Sequence, residues 1–378
     1  MRIGIIGAGI GGLVTAIGLQ TDGHDVSVFE RRPAPSPDGA GLTLFGNAFE
    51  ALDILGLRDA AEEVSSNAIA AMRPGQRHPS GSWLITVSRS SVATMRSVHR
   101  VALHRALTER LRPATLHSGA VAHVAADGSP RITVDGHDED FDIVVVADGI
   151  RSRNRAALGL DPGLRYSGHT AWRGVTDRPI DIRGEAGETW GRGRIFGIVP
   201  LPDERVYWFA TLNTPAGTRF DDEYRTVQRR FGDWHDPIPD CIAATSPDTL
   251  LRHDIHDLAA PPESFMRGRT VLLGDAAHAM TPHLGQGAGQ AIEDAATLVL
   301  LLRGITPDRV DTALAQYSTL RRHRTATVMR RSRMAGRVAQ AANPLAVGLR
   351  NTVMRLTPGT AVGAMSRRLL AWPAPKEQ

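Results

Sequence analysis

Short apolar runs alternate along this chain with segments of helical period, and their order predicts the architecture. Ile3–Gly7 is an apolar strand, Leu13–Gln20 places apolar residues at helical spacing, and Asp25–Phe29 is a second strand ending at Glu30. The β-branched run Phe141–Ala147 (FDIVVVA) predicts a parallel strand covered on both faces. An amphipathic helix is predicted over Val98–Leu111, and Gly268–Leu298 reads as strand, tight turn, glycine loop and helix. Residues 166–266 differ. They alternate as strands do and hold Trp172, Trp190, Trp208 and Trp234. Ile195–Leu201 and Val206–Leu212 are predicted neighbours across a Pro202-Asp203-Glu204 turn, with Ser82–Val87 in the same mixed sheet.

The chemistry sits where the strands end. Gly7-Ala8-Gly9-Ile10-Gly11-Gly12 is a G-x-G-x-x-G turn between strand and helix, with an acid, Glu30, 18 positions after Gly12. In that pattern Gly7 permits the turn, Gly9 admits a pyrophosphate, and Gly12 lets helix pack on strand. The free amides at the helix start attract phosphate. A carboxylate at Glu30 binds ribose hydroxyls and repels a 2′-phosphate, favouring FAD or NAD over NADP. The alternative is a glycine-rich turn that holds no ligand. Asp275 ends a later strand, and Gly285, Gly287 and Gly289 leave open amides at the following helix. Asp148-Gly149 ends the Phe141–Ala147 strand, and Arg100 could reach a cofactor phosphate. Glycine sites so far apart imply one long cofactor held at both ends.

Composition and charge narrow the class. The 378 residues suffice for two or three domains, and no apolar run is long enough to span a bilayer. A strand beginning at Met1 leaves no room for a signal peptide, and the single cysteine, Cys241, excludes an internal disulfide; a cytoplasmic protein is expected. None of the 14 histidines has metal-ligand spacing, so no metal is expected. The net charge of +4 is uneven: from Leu320 onward twelve Lys/Arg, among them the only lysine, Lys376, face one acid. This tail either lies on an acidic body or makes weak contact with an anionic membrane or an acidic partner. Leu345, Leu349 and Val353 would form an apolar stripe on it. Its arginines are not interleaved with aromatics, which argues against nucleic acid.

The ordered motifs GAGIGG…FER, HRVALHRAL, VVVADGIRS and GRTVLLGDAAHAMTPHLGQGAGQAIEDAA resemble the group A FAD-dependent aromatic hydroxylases, with the para-hydroxybenzoate hydroxylase fold. The likeness covers about residues 1–330. GHTAWRG and GIVPLPDERVYWFATLNTPAG are similar to the branch holding urate hydroxylase, salicylate hydroxylase and zeaxanthin epoxidase. The resemblance implies that Gly7, Gly9, Gly11 and Gly12 hold the FAD pyrophosphate, with Glu30, Arg31 and Val121 at the adenosine end. Leu42 and Thr43 would touch the flavin, Arg100 the phosphate and ribityl groups, and Asp275 the ribityl hydroxyls. Asp148-Gly149 matches a motif tied to FAD and nicotinamide binding. Pro282 and Gly285-Gln286-Gly287-Ala288 would lie against the isoalloxazine. In the family, NADH or NADPH reduces FAD, O2 adds at flavin C4a, and the hydroperoxide hydroxylates a small aromatic or heteroaromatic substrate.

Tyr207 matches the catalytic tyrosine of the urate-oxidising relatives. The arginine they pair with it falls at Ile195 here, with Arg194 one place away, and such a shift moves a side chain to the other sheet face. Urate is therefore disfavoured. His283, in the flavin loop, is a candidate base or a loop-filling neutral histidine. His169 and Arg173 could meet a substrate carboxylate or serve the sheet edge, and His278 is expected under the flavin loop. The aromatics are either ordinary core or a wall for a planar substrate; Trp234 is assigned to core, and Trp172, Tyr207 and Phe209 to the wall.

The expected fold is α/β: a Rossmann-like FAD-binding domain (1–75, 99–165 and 267–330), an inserted mixed β-sheet substrate domain (76–98 and 166–266) and C-terminal helices (331–378), as monomer or homodimer. No separate NAD(P)H domain is visible, so the donor binds transiently. Epoxidation of an alkene-bearing natural product and a non-catalytic flavin- or ligand-binding role are the alternatives. A flavin-dependent halogenase is disfavoured, because the tunnel lysine and the WxWxIP motif of that group are absent.

Overall fold

The computed structural model describes residues 1–35 and 40–375, so Lys376 lies outside the described residues. Two sheets dominate it. The first has six strands in the order Met266–Arg267, Thr270–Leu272, Ile143–Val146, Arg2–Ile6, Asp25–Glu30 and Leu116–Ser118. Only Met266–Arg267 runs antiparallel; Ile3 stands beside Ile143 on one side and Val26 on the other. Ile143–Val146 are fully buried, which is why that run shows no polar alternation. Helices Ile10–Thr21 and Gly287–Leu302 approach closely because Gly11 and Gly18 face the second helix: a Cβ on either would stand 3.1 Å or less from Ala291 or Val299. Parallel pairing brings the strand ends at Gly7, Glu30, Asp148 and Asp275 to one edge, where open α/β sheets bind ligands.

The second sheet has seven strands, in the order Leu251–Leu258, Leu164–Val175, Val206–Asn213, Arg194–Pro200, Glu185–Trp190, Arg73–Arg77 and Trp83–Thr86. It is mixed, its one parallel pair joining Glu185–Trp190 to Arg73–Arg77. A domain boundary after residue 75 therefore cuts a strand of this sheet. One face packs on helices Glu223–Phe231 and Ile238–Ala243 through Trp172, Phe196, Trp208, Phe231 and Trp234. The helix expected over Val98–Leu111 is shorter. Arg96–His99 is a strand between Gly41–Leu44 and Ser65–Ser66, and the helix spans Arg100–Thr108. Val98 pairs with Leu42 and Ser65, and this tertiary pairing outweighs the local helical period.

The long helix Val310–Ala339 crosses residue 330 unbroken and braces both sheets. From it Arg333 donates to Asp257 on the second sheet (2.6 Å). Arg321 donates to Asp294 (2.5 Å) and Glu293 (2.7 Å) on helix Gly287–Leu302, all three buried. Burial alone would raise Asp294, but His278 and Arg321 outweigh it and hold the carboxyl at about 2. With the folded value depressed, the stabilisation is complete above the ordinary value of 3.8 and is lost as pH falls toward 2. Removing one partner of a buried pair strands the other charge, so Arg321→Met should cost roughly 3–5 kcal/mol in urea unfolding at neutral pH. A loss under about 1 kcal/mol would show that the cluster contributes little.

Candidate active site

The N-terminal cradle is shaped by what its glycines face. Gly7 has φ +106°, and a Cβ there would stand 2.4 Å from the Ala147 oxygen; at Gly12 a Cβ would stand 2.1 Å from the Gly7 oxygen. Both are close approaches that only glycine allows. Gly9, at the start of helix Ile10–Thr21, has nothing within 4 Å of its Cβ position. It faces the open space that a pyrophosphate would fill. At Gly11 the Cβ position faces Leu273 (2.8 Å) and Ala291 (3.1 Å), so its small size serves helix packing, while its amide is in the first turn of helix Ile10–Thr21. The Glu30 carboxylate accepts hydrogen bonds from the amides of Ala8 and Arg32, both 2.9 Å, which pins it at the mouth of the loop. Exposed Arg31 is next to it, and Val121 follows Ala120, whose amide donates to the Glu30 carbonyl (2.9 Å). The adenosine-end candidates are thus together.

At the other end Asp275 is exposed at the first residue of helix Asp275–His278, 4.0 Å from the Cβ position of Gly287. Gly285 is left-handed (φ +61°) and exposed beside exposed Pro282, and Gly287-Ala288 form the first turn of the next helix. Gln286 turns inward, accepting a hydrogen bond from Asn47 (3.0 Å). Leu42 and Thr43 are half-buried on Gly41–Leu44, and the amide of exposed Arg100 donates to Ala40 (3.2 Å) at the start of that strand. Asp148 accepts from Asn154 (3.0 Å) through one oxygen. Its other oxygen, with Asn47 Oδ1 and Gln286 Nε2, is buried without a partner. Orphaned polar atoms, an open cradle and an exposed carboxylate fit a long polar cofactor such as FAD.

Facing this crevice, the second sheet puts Tyr207 and Phe209 on one face with Arg173, Val175, Ile195 and Val199. Arg173 donates to the Tyr207 hydroxyl at 2.9 Å, and the Tyr207 ring occupies the space a Cβ on Gly41 would need. Arg173 thus supplies Tyr207 with a guanidinium from the adjacent strand, a pairing that no linear motif shows. His169 is on the same face, and its ring meets His283 edge-on at 5.1 Å. His283 fits against Gly336 of the long helix. Burial lowers both histidines to about 4, with Arg165 adding to the lowering of His169 and His169 to that of His283.

Two expected substrate residues are elsewhere. Trp172 is fully buried on the opposite face, with its indole donating to Glu223 (2.6 Å), so it is core. Arg194 shares that face; it donates to the Arg230 carbonyl and lies over the Trp234 ring. Surface clefts of about 400 and 450 Å³ open around Arg192 and Arg194, away from Tyr207, and contain none of the cofactor residues. Sequence reading placed Arg155 after the Asp148-Gly149 strand end but gave it no role. It is buried and ties the Asp148 turn to the Asp275 helix through Ile150 and Ala276 carbonyls, both 3.0 Å.

The fold superposes on Klebsiella pneumoniae HpxO complexed with FAD and uric acid with a TM-score of 0.89 and 27% identity, covering 98% of this chain and 96% of that one. The chain has an FAD-binding domain, and the protein is an FAD-dependent flavoprotein monooxygenase of the aromatic hydroxylase class. It is a member of the family described as FAD binding domain, which matches residues 1–332. Aurachin C monooxygenase/isomerase of Stigmatella aurantiaca is 37% identical over 97% of both chains. 2-heptyl-3-hydroxy-4(1H)-quinolone synthase of Pseudomonas aeruginosa is 35% identical, covering 98% of this chain and 97% of that relative.

The glycines give a discriminating test. Gly9→Val should fold with a melting temperature close to that of the parent apoprotein but purify without the yellow flavin spectrum. Gly12→Val, driven into the Gly7 carbonyl, should fail to fold. If Gly9→Val retains FAD, the cradle is not where the cofactor lies. For the histidines, the folded values lie below the ordinary 6.5, so their stabilisation is full above about pH 6.5 and declines as pH falls toward 4. His283→Asn should remove about one proton of uptake from the pH dependence of unfolding over that window.

Proposed function

We propose that this enzyme uses NADH or NADPH and O2 to hydroxylate the ring of an enolisable bicyclic heteroaromatic, a 4-quinolone carrying an apolar substituent. The observation that carries the reading is the Arg173–Tyr207 hydrogen bond on a sheet face that also carries Val175, Ile195, Val199 and Phe209. Such a face takes a flat apolar ring. Arg173 fixes the phenol, leaving the Tyr207 hydroxyl to exchange a proton with a ring oxygen. Arg173 is already engaged by Tyr207, and the resemblance puts Ile195 at the position where urate-oxidising relatives carry arginine. Both features favour a neutral substrate over urate or a carboxylate. The similarity to 2-heptyl-3-hydroxy-4(1H)-quinolone synthase supports the same class.

Bound FAD supplies the activated oxygen. The chain's own part is to hold the ring against Phe209, to shift a ring proton at the Tyr207 hydroxyl so that the adjacent carbon becomes electron-rich, and to exclude water. Asp275 and the amides of Gly287 and Ala288 would anchor the ribityl and pyrimidine end of the cofactor, where preorganised donors favour negative charge. Glu30, Arg31 and Val121 would take the adenosine, and Arg100 and Leu42-Thr43 would border the flavin. Pro282 would meet the ring edge. His283 and His169 serve as neutral walls, since their rings meet each other and burial keeps both uncharged at neutral pH. A cytoplasmic setting agrees with the single buried thiol, Cys241.

The test is to supply 2-alkyl-4-quinolones, urate and salicylate to the FAD-loaded enzyme and follow NADH and NADPH oxidation with product mass. Quinolone-stimulated oxidation with a gain of one oxygen is expected; stimulation by urate or salicylate alone would overturn the substrate class. Tyr207→Phe and Arg173→Met should each lower kcat/KM by about 10²-fold, and the double variant by little more, because they act as one unit. Additive losses would mean that the two residues act separately.

A further inference from the structure

Helix Pro344–Leu356 is turned inside out. Its one buried side chain is Arg350, which donates to the Ala339 carbonyl (2.8 Å) and the Gly191 carbonyl (3.2 Å) and rests over the Trp190 ring. Its apolar side chains point the other way: Leu345, Leu349, Val353 and Leu356 are 84, 68, 52 and 77% exposed. Their spacings of four, four and three residues place them on one face. Met334 and Val338 in the last turns of the preceding helix, and Met365 in the following helix Gly359–Leu370, are exposed as well. A single exposed leucine is ordinary, but a row of four on one helix asks for a partner.

The charges on this helix and on the helices before and after it say which partner. Arg330, Arg331, Arg337, Arg355, Arg367 and Arg368 are exposed, and among the described residues none forms a salt bridge. No Asp or Glu occurs between Leu320 and Pro375. A second copy laid on this face by twofold symmetry would set arginines against arginines. An anionic bilayer satisfies both features, since leucines enter the acyl boundary while guanidinium groups meet lipid phosphates. No helix among the described residues is long and apolar enough to cross a membrane, so the contact lies in the interface plane.

We propose that the outward face of helix Pro344–Leu356, with the arginines of its two neighbouring helices, docks this enzyme on an anionic lipid surface. This contact does not depend on the substrate assigned above.

The experiment is co-sedimentation of the full-length FAD-loaded protein with vesicles of equimolar phosphatidylglycerol and phosphatidylcholine, or of phosphatidylcholine alone. The anionic vesicles should carry down about tenfold more protein, and about 0.5 M NaCl should release most of it. The triple variant Leu345→Gln/Leu349→Gln/Leu356→Gln and, separately, Arg367→Glu/Arg368→Glu should each lose about tenfold in binding. Both should keep the parent flavin spectrum and melting temperature, because these side chains are exposed. The proposal is overturned if the parent protein stays in the supernatant with anionic vesicles, or if the triple variant sediments as the parent does. It is also overturned if light scattering shows a parent dimer that the triple variant converts to monomer, since the stripe would then be a subunit interface.

Discussion

Asp294 carries its charge where there is no water, and it does so because Arg321 meets one oxygen while His278 and the Gly274 amide meet the other. This one carboxylate joins three pieces of chain that are remote in sequence: the turn that presents Asp275, the helix that begins at Gly287, and the long C-terminal helix. Glu293 beside it takes Arg321, Arg324 and Asn47, and Asn47 in turn holds Gln286 at the head of the glycine loop. The flavin end of the crevice is therefore set by a buried ionic cluster whose members would each be costly alone and are tolerable only together. Rigid placement of the loop follows from it, which is what the proposed role of its amides toward a developing charge requires.

The second sheet answers to a different rule. Alternation along Val206–Asn213 divides its aromatics between two environments: Trp208 goes to the helices and Tyr207 and Phe209 to the crevice. Small residues make this possible. Gly41 leaves room for the Tyr207 ring and Gly197 for the Phe209 ring, so both aromatics lie flat where a β-carbon would have displaced them. The same alternation sends Arg173 toward the phenol and Trp172 away from it. One residue of offset thus separates a group that can act on substrate from one that only fills core.

Much of the cofactor end was readable along the chain because its signals are local. A glycine turn between strand and helix, an acid at the next strand's end and a second glycine loop each report on a few consecutive residues, and parallel pairing brings them to one edge. The packing role of Gly11 escaped that reading, since nothing in G-x-G-x-x-G shows that its Cβ position faces Leu273 and Ala291. The substrate end was readable only in part. Tyr207 and Phe209 were assigned to the crevice, whereas Trp172 and Arg194 were misplaced because strand register is a property of pairs. Val98 and His99 likewise followed their neighbours into a strand against their own helical spacing.

Sequence by itself determined that the chain folds as an α/β FAD binder with an inserted sheet, that two separate glycine-rich turns end its strands, and that its C-terminal part is strongly cationic. These depend on periodicity, glycine placement and charge, which are additive along the backbone. Tertiary structure alone decided that Arg173 partners Tyr207, that Asp294 anchors the flavin loop through Arg321, and that Arg350 faces inward while its helix's leucines face out. Each of those facts is a contact between segments far apart in sequence, and its energy exists only once burial and register have brought the two side chains together.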